Sequence, residues 1–265
     1  MKHYLFWFLF SLALLLPFEV HSNKQALAQS KEGNATVEDI IDNTDNWLGK
    51  TVTLTGKIDE MQGDSSFTLE SDNYFDSDRV LIINKSGAPL PELPEENTTI
   101  RITGEVNLVD GMEYFGDTSE DVSDEYEQKP AIVADYIILA PDPVEIVETP
   151  ANYYDREVAV SGKVADILDE NAFTLEEFSL KSDRNLLVLN TTGEPMPESA
   201  ADVLVMGTVR PYNKAELERE YGYGEDLSVY IADSSEDDDD IAVLIVEQIA
   251  PADVDLSEVE IDVTQ

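Results

Sequence analysis

The hydrophobic positions of the chain fall into short runs of period two. Val52, Leu54 and Ile58 alternate with Thr51, Thr53, Thr55 and Lys57, which predicts a half-buried strand. Val158, Val160 and Val164 repeat that face. Further strands are predicted at Ser66–Glu70 and Ala172–Glu176, and at Thr99–Asn107 and Asp202–Arg210. The last pair is Ala131–Leu139 and Ile241–Ile249. Between them, Val80–Ile83 and Leu186–Leu189 are almost wholly apolar, as in strands buried on both faces. Gly56, Gly162, Gly104 and Gly207 take the inward parity of their strands, where a glycine marks a bend, a bulge or a close backbone approach. Each set of strands opens with a short helix. In the first, Thr36 is the N-cap with Asp39 in the capping-box place, ahead of Val37, Ile40, Ile41 and Trp47-Leu48. In the second, the helix is expected to be shorter, because Pro150 interrupts it.

These runs are an internal repeat. Residues 46–91 match residues 152–197 at a constant offset of 106. Phe67-Thr68-Leu69-Glu70 meets Phe173-Thr174-Leu175-Glu176, and Leu81-Ile82-Ile83-Asn84 meets Leu187-Val188-Leu189-Asn190. Gly87-x-Pro89-x-Pro91 meets Gly193-x-Pro195-x-Pro197. The offset then falls to 103, where Ile102-x-Gly104-x-Val106 meets Val205-x-Gly207-x-Val209, and rises to 110, where Ala140-Pro141 meets Ala250-Pro251. The expected organisation is an N-terminal linker over 29–35, a first repeat over 36–141, a second over 142–254 and an acidic tail over 255–265. Ala140-Pro141-Asp142-Pro143 is a short joint, so the repeats sit close together.

Five short strands with two Gly-bent members predict a mainly β fold of two tandem five-stranded barrels, each with a short helix. The pattern V-x-V-x-G-x-V, F-x-L, L-V-I-N, V-x-G-x-V resembles the exported bacterial OB-fold families. It is also similar to uncharacterised, signal-peptide-bearing tandem-domain proteins of cyanobacteria and their relatives. The likeness spans both copies and implies an OB-like barrel, with no catalytic residues to carry over. An SH3-like small barrel is the structural alternative.

The N-terminus adds a compartment. Met1-Lys2-His3 is followed by an apolar run from Tyr4 to Phe18, shorter than the roughly 20 residues of a membrane span. Ala26-Leu27-Ala28 then has the small-x-small form of a signal-peptidase site. Residues 1–28 read as a signal peptide cleaved between Ala28 and Gln29. The mature chain is expected outside the cytoplasm, periplasmic or extracellular, with no integral membrane span.

Composition narrows the chemistry. The 265 residues hold 57 Asp plus Glu against 16 Lys plus Arg, a net charge of −41. Removal of Lys2, Lys24 and Glu19 with the signal peptide takes it to −42. There is no Cys, and both His residues, His3 and His21, lie in the discarded segment. Thiol nucleophiles, His bases, Ser-His-Asp triads, Cys/His zinc sites and disulfides are therefore excluded from the mature chain. Without a basic track, nucleic acid is excluded as a partner.

What remains are binding candidates. Lys57 and Lys163 are the basic residues repeated identically, and suit an anionic ligand; the plainer alternative is pairing with neighbouring carboxylates. Tyr212, Tyr221 and Tyr223 surround a short helical stretch at Ala215–Tyr221 and could stack on a ligand or cover a barrel end as core. Asp72, Asp76 and Asp78, and Asp233, Glu236, Asp237, Asp238, Asp239 and Asp240, are candidate oxygen ligands for Ca²⁺, although their spacing is not that of an EF-hand. No other cofactor is expected. The sequence thus points to a non-catalytic exported binding or interaction module. Cations or a basic protein are its expected partners. A cation-binding envelope protein and a carboxylate-dependent hydrolase are the alternatives.

Overall fold

The computed structural model describes residues 33–62, 65–71, 78–85, 90–91, 98–109, 126–177, 185–224 and 241–252. The chain enters through a two-residue strand, β1 (Gly33–Asn34), and turns into α1 (Val37–Asp42). The Asp39 amide donates to Thr36 Oγ1 at 3.1 Å and the Thr36 amide donates back to Asp39 Oδ2 at 3.2 Å, forming the expected capping box. One turn apart on a single face, Val37 and Ile40 are buried. A second short helix, α2 (Thr44–Trp47), leads into β2 (Thr51–Met61). Then come β3 (Ser66–Ser71), β4 (Arg79–Asn84), β5 (Thr99–Leu108) and β6 (Pro130–Leu139).

β2 to β6 close on themselves. β2 pairs with β3 and β5, β3 with β4, and β5 with β6, all antiparallel; β4 and β6 complete the ring in parallel. The result is a closed five-stranded barrel filled by Leu54, Phe67, Leu69, Ile82, Ile100 and Ile132. Two glycines let the strands approach closely. A Cβ at Gly56 would lie 2.5 Å from the Glu70 carbonyl oxygen, and one at Gly104 2.4 Å from that of Val133.

The second half begins with α3 (Pro143–Glu148). The shortening expected here does not touch α3, which has six residues like α1, and falls instead on the counterpart of α2. Pro150 lies past the end of α3 and opens a separate 3-10 turn at Pro150–Asn152, where its missing N–H disrupts nothing. Then follow β7 (Glu157–Ile167), β8 (Ala172–Glu176), β9 (Leu186–Leu189), β10 (Asp202–Pro211), α4 (Lys214–Tyr221) and β11 (Ala242–Pro251). The strand pairings of the first half recur: β7 with β8 and β10, β8 with β9, β10 with β11, and β9 with β11 in parallel. All these strands belong to one sheet, joined where Leu139 of β6 pairs in parallel with Val158 of β7.

The register corrects the expected offset of 110 at the last strand. Leu81 pairs with Ala131 and Leu187 with Val243, so Ala131 and Val243 take equivalent places, 112 residues apart. The Ala-Pro match is therefore two residues out of register. Asp135 and Glu247 are the equivalent extra residues of β-bulges, at Thr103/Gly104 and Met206/Gly207. The joint between halves also repeats an internal feature. Gly33 pairs with Val52 as Leu139 pairs with Val158, both shifted by 106. The end of β6 thus serves β7 as β1 serves β2.

Candidate functional site

Lys57 and Lys163 sit at equivalent, outward places. Lys57 lies opposite Glu70 on β3 and Thr99 on β5. Lys163 lies opposite Glu176 on β8 and Asp202 on β10, with Nζ 4.0 Å from Asp202 Oδ1. Each lysine therefore has a cross-strand carboxylate neighbour.

The tyrosines divide. Tyr223 is buried and its hydroxyl donates to Asp169 Oδ2 in the β7–β8 turn. Tyr212 packs against the same apolar cluster, and Tyr221 is exposed. That cluster lies on the face of β8, β9 and β11 turned away from the main core. Alternation along β9 sends Leu186 and Val188 inward and Leu187 and Leu189 outward. The outward pair joins Ala172, Val243 and Ile245 under Leu217 of α4 and Tyr223. The sequence places α4 there through its caps: Asn213 Oδ1 accepts from the Glu216 amide at 3.1 Å, and Gly222 ends the helix at φ 70°.

The first half covers the same face with other residues. Leu81 and Ile83 of β4 and Ala131 of β6 lie under Val109 and Tyr126, which flank the β5–β6 connection. Sequence reading missed Val109 and Tyr126, because neither belongs to a periodic run.

Of the acidic candidates, Asp78 lies within the described residues. Asp72, Asp76, Asp233, Glu236 and Asp237 to Asp240 lie outside them, as do Ala28 and Gln29. Among the described residues no three His, Cys, Asp or Glu side chains gather as a metal site, and no helix is long and apolar enough to cross a membrane.

A cleft that periodicity does not announce opens at the joint between the halves. Its volume is about 480 Å³. Pro91 and Ile137 give it an apolar wall, and Tyr136, Tyr154, Arg156 and Glu157 supply its polar lining. Tyr136 Oη donates to Glu157 Oε1 at 3.1 Å. Burial, reinforced by the negative charges of Glu157 and then Glu247, raises the Tyr136 pKa well above its ordinary value. On the outer face beside the cleft, Tyr136 and Ile138 of β6 pack against Ala159 of β7 and Leu204 and Met206 of β10. These contacts fasten one half to the other.

No protein-family model matches the chain, and none of the curated proteins matches it. Among solved structures, one described as "Structural mimicry for functional antagonism" is similar over 63% of this chain and 86% of its own, at 12% identity and a TM-score of 0.24, too distant to carry fold or function.

Proposed function

We propose that the chain is a non-catalytic, exported binding and interaction module of two tandem OB-fold-like barrels. Its acidic surface engages cationic or basic-protein partners outside the cytoplasm. The five-stranded Greek-key closure of the first half, and the recurrence of its pairings in the second, support the OB-like reading. So does the resemblance to exported bacterial OB-fold families.

The observation that carries the function is how each half is covered. OB-folds that hold nucleic acid use the outer face of their second and third strands and the adjoining loops. Here the outer side of β4 is covered by Val109 and Tyr126, and that of β9 by Leu217 and Tyr223. The barrel interior is filled by Leu54, Phe67 and their neighbours. With the outer sides of β4 and β9 covered and a net charge of −41, contact with partners falls to the charged exterior. Among the described residues, the lining of the cleft holds one carboxylate, Glu157, beside a cation, Arg156, and not the facing pair of carboxylates that a carboxylate-dependent hydrolase uses.

The test is a titration of the mature chain with a lysine-rich peptide and, separately, with a single-stranded oligonucleotide, at low and high NaCl. The peptide is expected to bind with an affinity that falls steeply with salt, and the oligonucleotide not to bind. Tight oligonucleotide binding, or a peptide that fails to bind at low salt, overturns the proposal.

A further inference from the structure

We propose that β1 covers a docking edge on β2 that fits the last strand of a second copy of this chain, and that β1 and Pro251 keep copies from joining head to tail. This goes beyond the interaction function, which rests on the exterior charge and stands or falls without it.

Each half carries a donor and an acceptor for one kind of joint. The donor is the end of the last strand, and the acceptor is the start of the long first strand. Within the chain, Leu139 of β6 meets Val158 of β7. The Ala140 amide donates to the Thr99 carbonyl at 2.9 Å, so Leu139, one residue back, turns its own N–H and C=O away from β5 and toward β7. The Val209 amide donates to the Arg156 carbonyl at 3.0 Å, which likewise turns the backbone groups of Glu157 and Ala159 toward β6. Such a joint brings unlike surfaces together. A free donor and a free acceptor would carry it from copy to copy without closing.

Among the described residues both outer places are altered. The acceptor at Val52 is filled, because Gly33 of β1 pairs with it in the register of Leu139 with Val158. At the donor, Pro251 pairs with Val203 as Leu139 pairs with Ile100, and the Ala252 amide donates to the Asp202 carbonyl at 3.1 Å as Ala140 does to Thr99. Pro251 therefore holds the outward place of Leu139 without the N–H that an incoming edge needs.

The side chains change in the same direction. Ile138, Ala159, Leu204 and Met206, with Tyr136, make an apolar seal at the joint. On β11 the places of Tyr136 and Ile138 are taken by Gln248 and Ala250. On β2 and β5 those of Ala159, Leu204 and Met206 are taken by Thr53, Arg101 and Thr103. Thr53 Oγ1 and Thr103 Oγ1 lie 3.0 Å apart and satisfy each other. A second copy docked here would lay its strand end against polar groups and gain no seal.

The test rebuilds each side of the joint on a separate full chain. One carries Gln248→Tyr, Ala250→Ile and Pro251→Leu; the other lacks residues 29–34 and carries Thr53→Ala, Arg101→Leu and Thr103→Met. Sedimentation is followed in 1 M NaCl, where the reach of charge repulsion is only about 3 Å. Each chain alone, and the unaltered chain, should stay monomeric. Their mixture should form a 1:1 dimer with a Kd of about 1 mM or below, weakened about tenfold when residues 29–34 are restored. No dimer up to about 1 mM overturns the proposal, as does a dimer indifferent to residues 29–34. One measurement needs no variant to fold. The Val106 amide donates to the Lys50 carbonyl at 3.0 Å, which turns the Thr53 amide toward β1. In the unaltered chain that amide should be protected from hydrogen exchange, and exchange as fast as in an unfolded chain overturns the cap.

Discussion

Asp155 occupies in the second half the left-handed turn that Gly49 occupies in the first. The two residues are 106 apart, with φ of 60° and 70°. The Gly49 amide donates to the Val106 carbonyl at 2.8 Å and the Asp155 amide to the Val209 carbonyl at 2.8 Å. Losing the glycine has therefore not lost the turn, since Asp is among the residues that tolerate this conformation. Asp155 gains something in exchange: its Oδ1 lies 2.9 Å from Arg210 Nη1. We predict that Gly49→Ala lowers the unfolding free energy by about 1 kcal/mol, wholly through backbone strain, since a Cβ there meets nothing within 4 Å. Asp155→Gly should change stability by under about 0.5 kcal/mol, because relief of strain offsets a mostly exposed ion pair. Urea midpoints of the two variants check this; a larger loss for Asp155→Gly than for Gly49→Ala contradicts it.

The strand glycines give a ranked prediction. A Cβ at Gly207 would stand 2.0 Å from the Ile245 carbonyl oxygen, against 2.4 Å at Gly104, 2.5 Å at Gly56 and 2.9 Å at Gly162. In each case the obstacle is backbone and cannot swing aside. Gly207→Ala should cost about 3 kcal/mol and Gly162→Ala about 1 kcal/mol, with the other two between. Stabilities in which Gly162→Ala is the most damaging of the four would show that the bends are set by something other than these contacts.

What the sequence shows and what it hides follow from the range of the interactions. The helix caps, the strands and the Gly bends are local. Thr36 and Asp39 are three residues apart, and inward parity alone singles out Gly56. The repeat makes these signals visible twice. The offset at the last strand misleads because Ala140-Pro141 happens to match Ala250-Pro251 two residues out of register; the bulges at Asp135 and Glu247 are equivalent and leave the offset unchanged. The joint Leu139–Val158 and the cleft are illegible for another reason. They bring together Pro91, Tyr136 and Tyr154, which no single run contains, and nothing in a residue's own neighbourhood encodes such a meeting.

The cover over the second half should open before the rest unfolds. α4 is tied to the strands by the buried side chain of Leu217, by the Tyr223–Asp169 bond, and by Arg210 reaching Glu220 at 3.9 Å. Asp169 keeps its two other hydrogen bonds, from the amides of Asn171 and Ala172, when the tyrosine hydroxyl is removed. Tyr223→Phe is therefore expected to cost about 1 kcal/mol, and Leu217→Ala about 3 kcal/mol. Hydrogen exchange checks the order. In both variants the amides of α4 should exchange faster while those of β7 and β10 keep their protection. Uniform acceleration across all strands would mean that α4 and the strands unfold as one unit.

Charge makes the stability depend on salt. With a net charge of −41, compaction brings like charges together, and salt shortens their reach from about 10 Å at 0.1 M to about 3 Å at 1 M. The urea midpoint of the full chain should rise with NaCl. At matched ionic strength CaCl₂ should do no better if screening is the whole effect. A further rise specific to Ca²⁺ would instead assign the acidic segments a binding role, and a midpoint indifferent to both salts would refute the screening argument.

The fastening of the two halves should weaken at high pH, with a sign fixed by Tyr136. Its hydroxyl lies at the β6–β7 joint, donating to Glu157 Oε1, with Glu247 contributing further negative charge. Burial is the largest cause of its raised pKa, followed by Glu157; both penalise the phenolate and favour the neutral form. An unfolded tyrosine ionises near pH 10, whereas the folded one resists. The stabilisation is therefore complete below about pH 10 and is lost as pH rises from there towards the folded value, because the unfolded state gives up its proton first. Tyr136→Phe removes this dependence. The difference in unfolding midpoint between the unaltered chain and the variant should be constant from pH 7 to about pH 9.5 and shrink above it. Measuring a difference cancels the lysines and other tyrosines that titrate in the same window. A difference that stays constant through pH 11 would show that the Tyr136 hydroxyl is as ready to ionise in the folded chain as in the unfolded one, and that the joint is held by Ile138, Leu204 and Met206 without it.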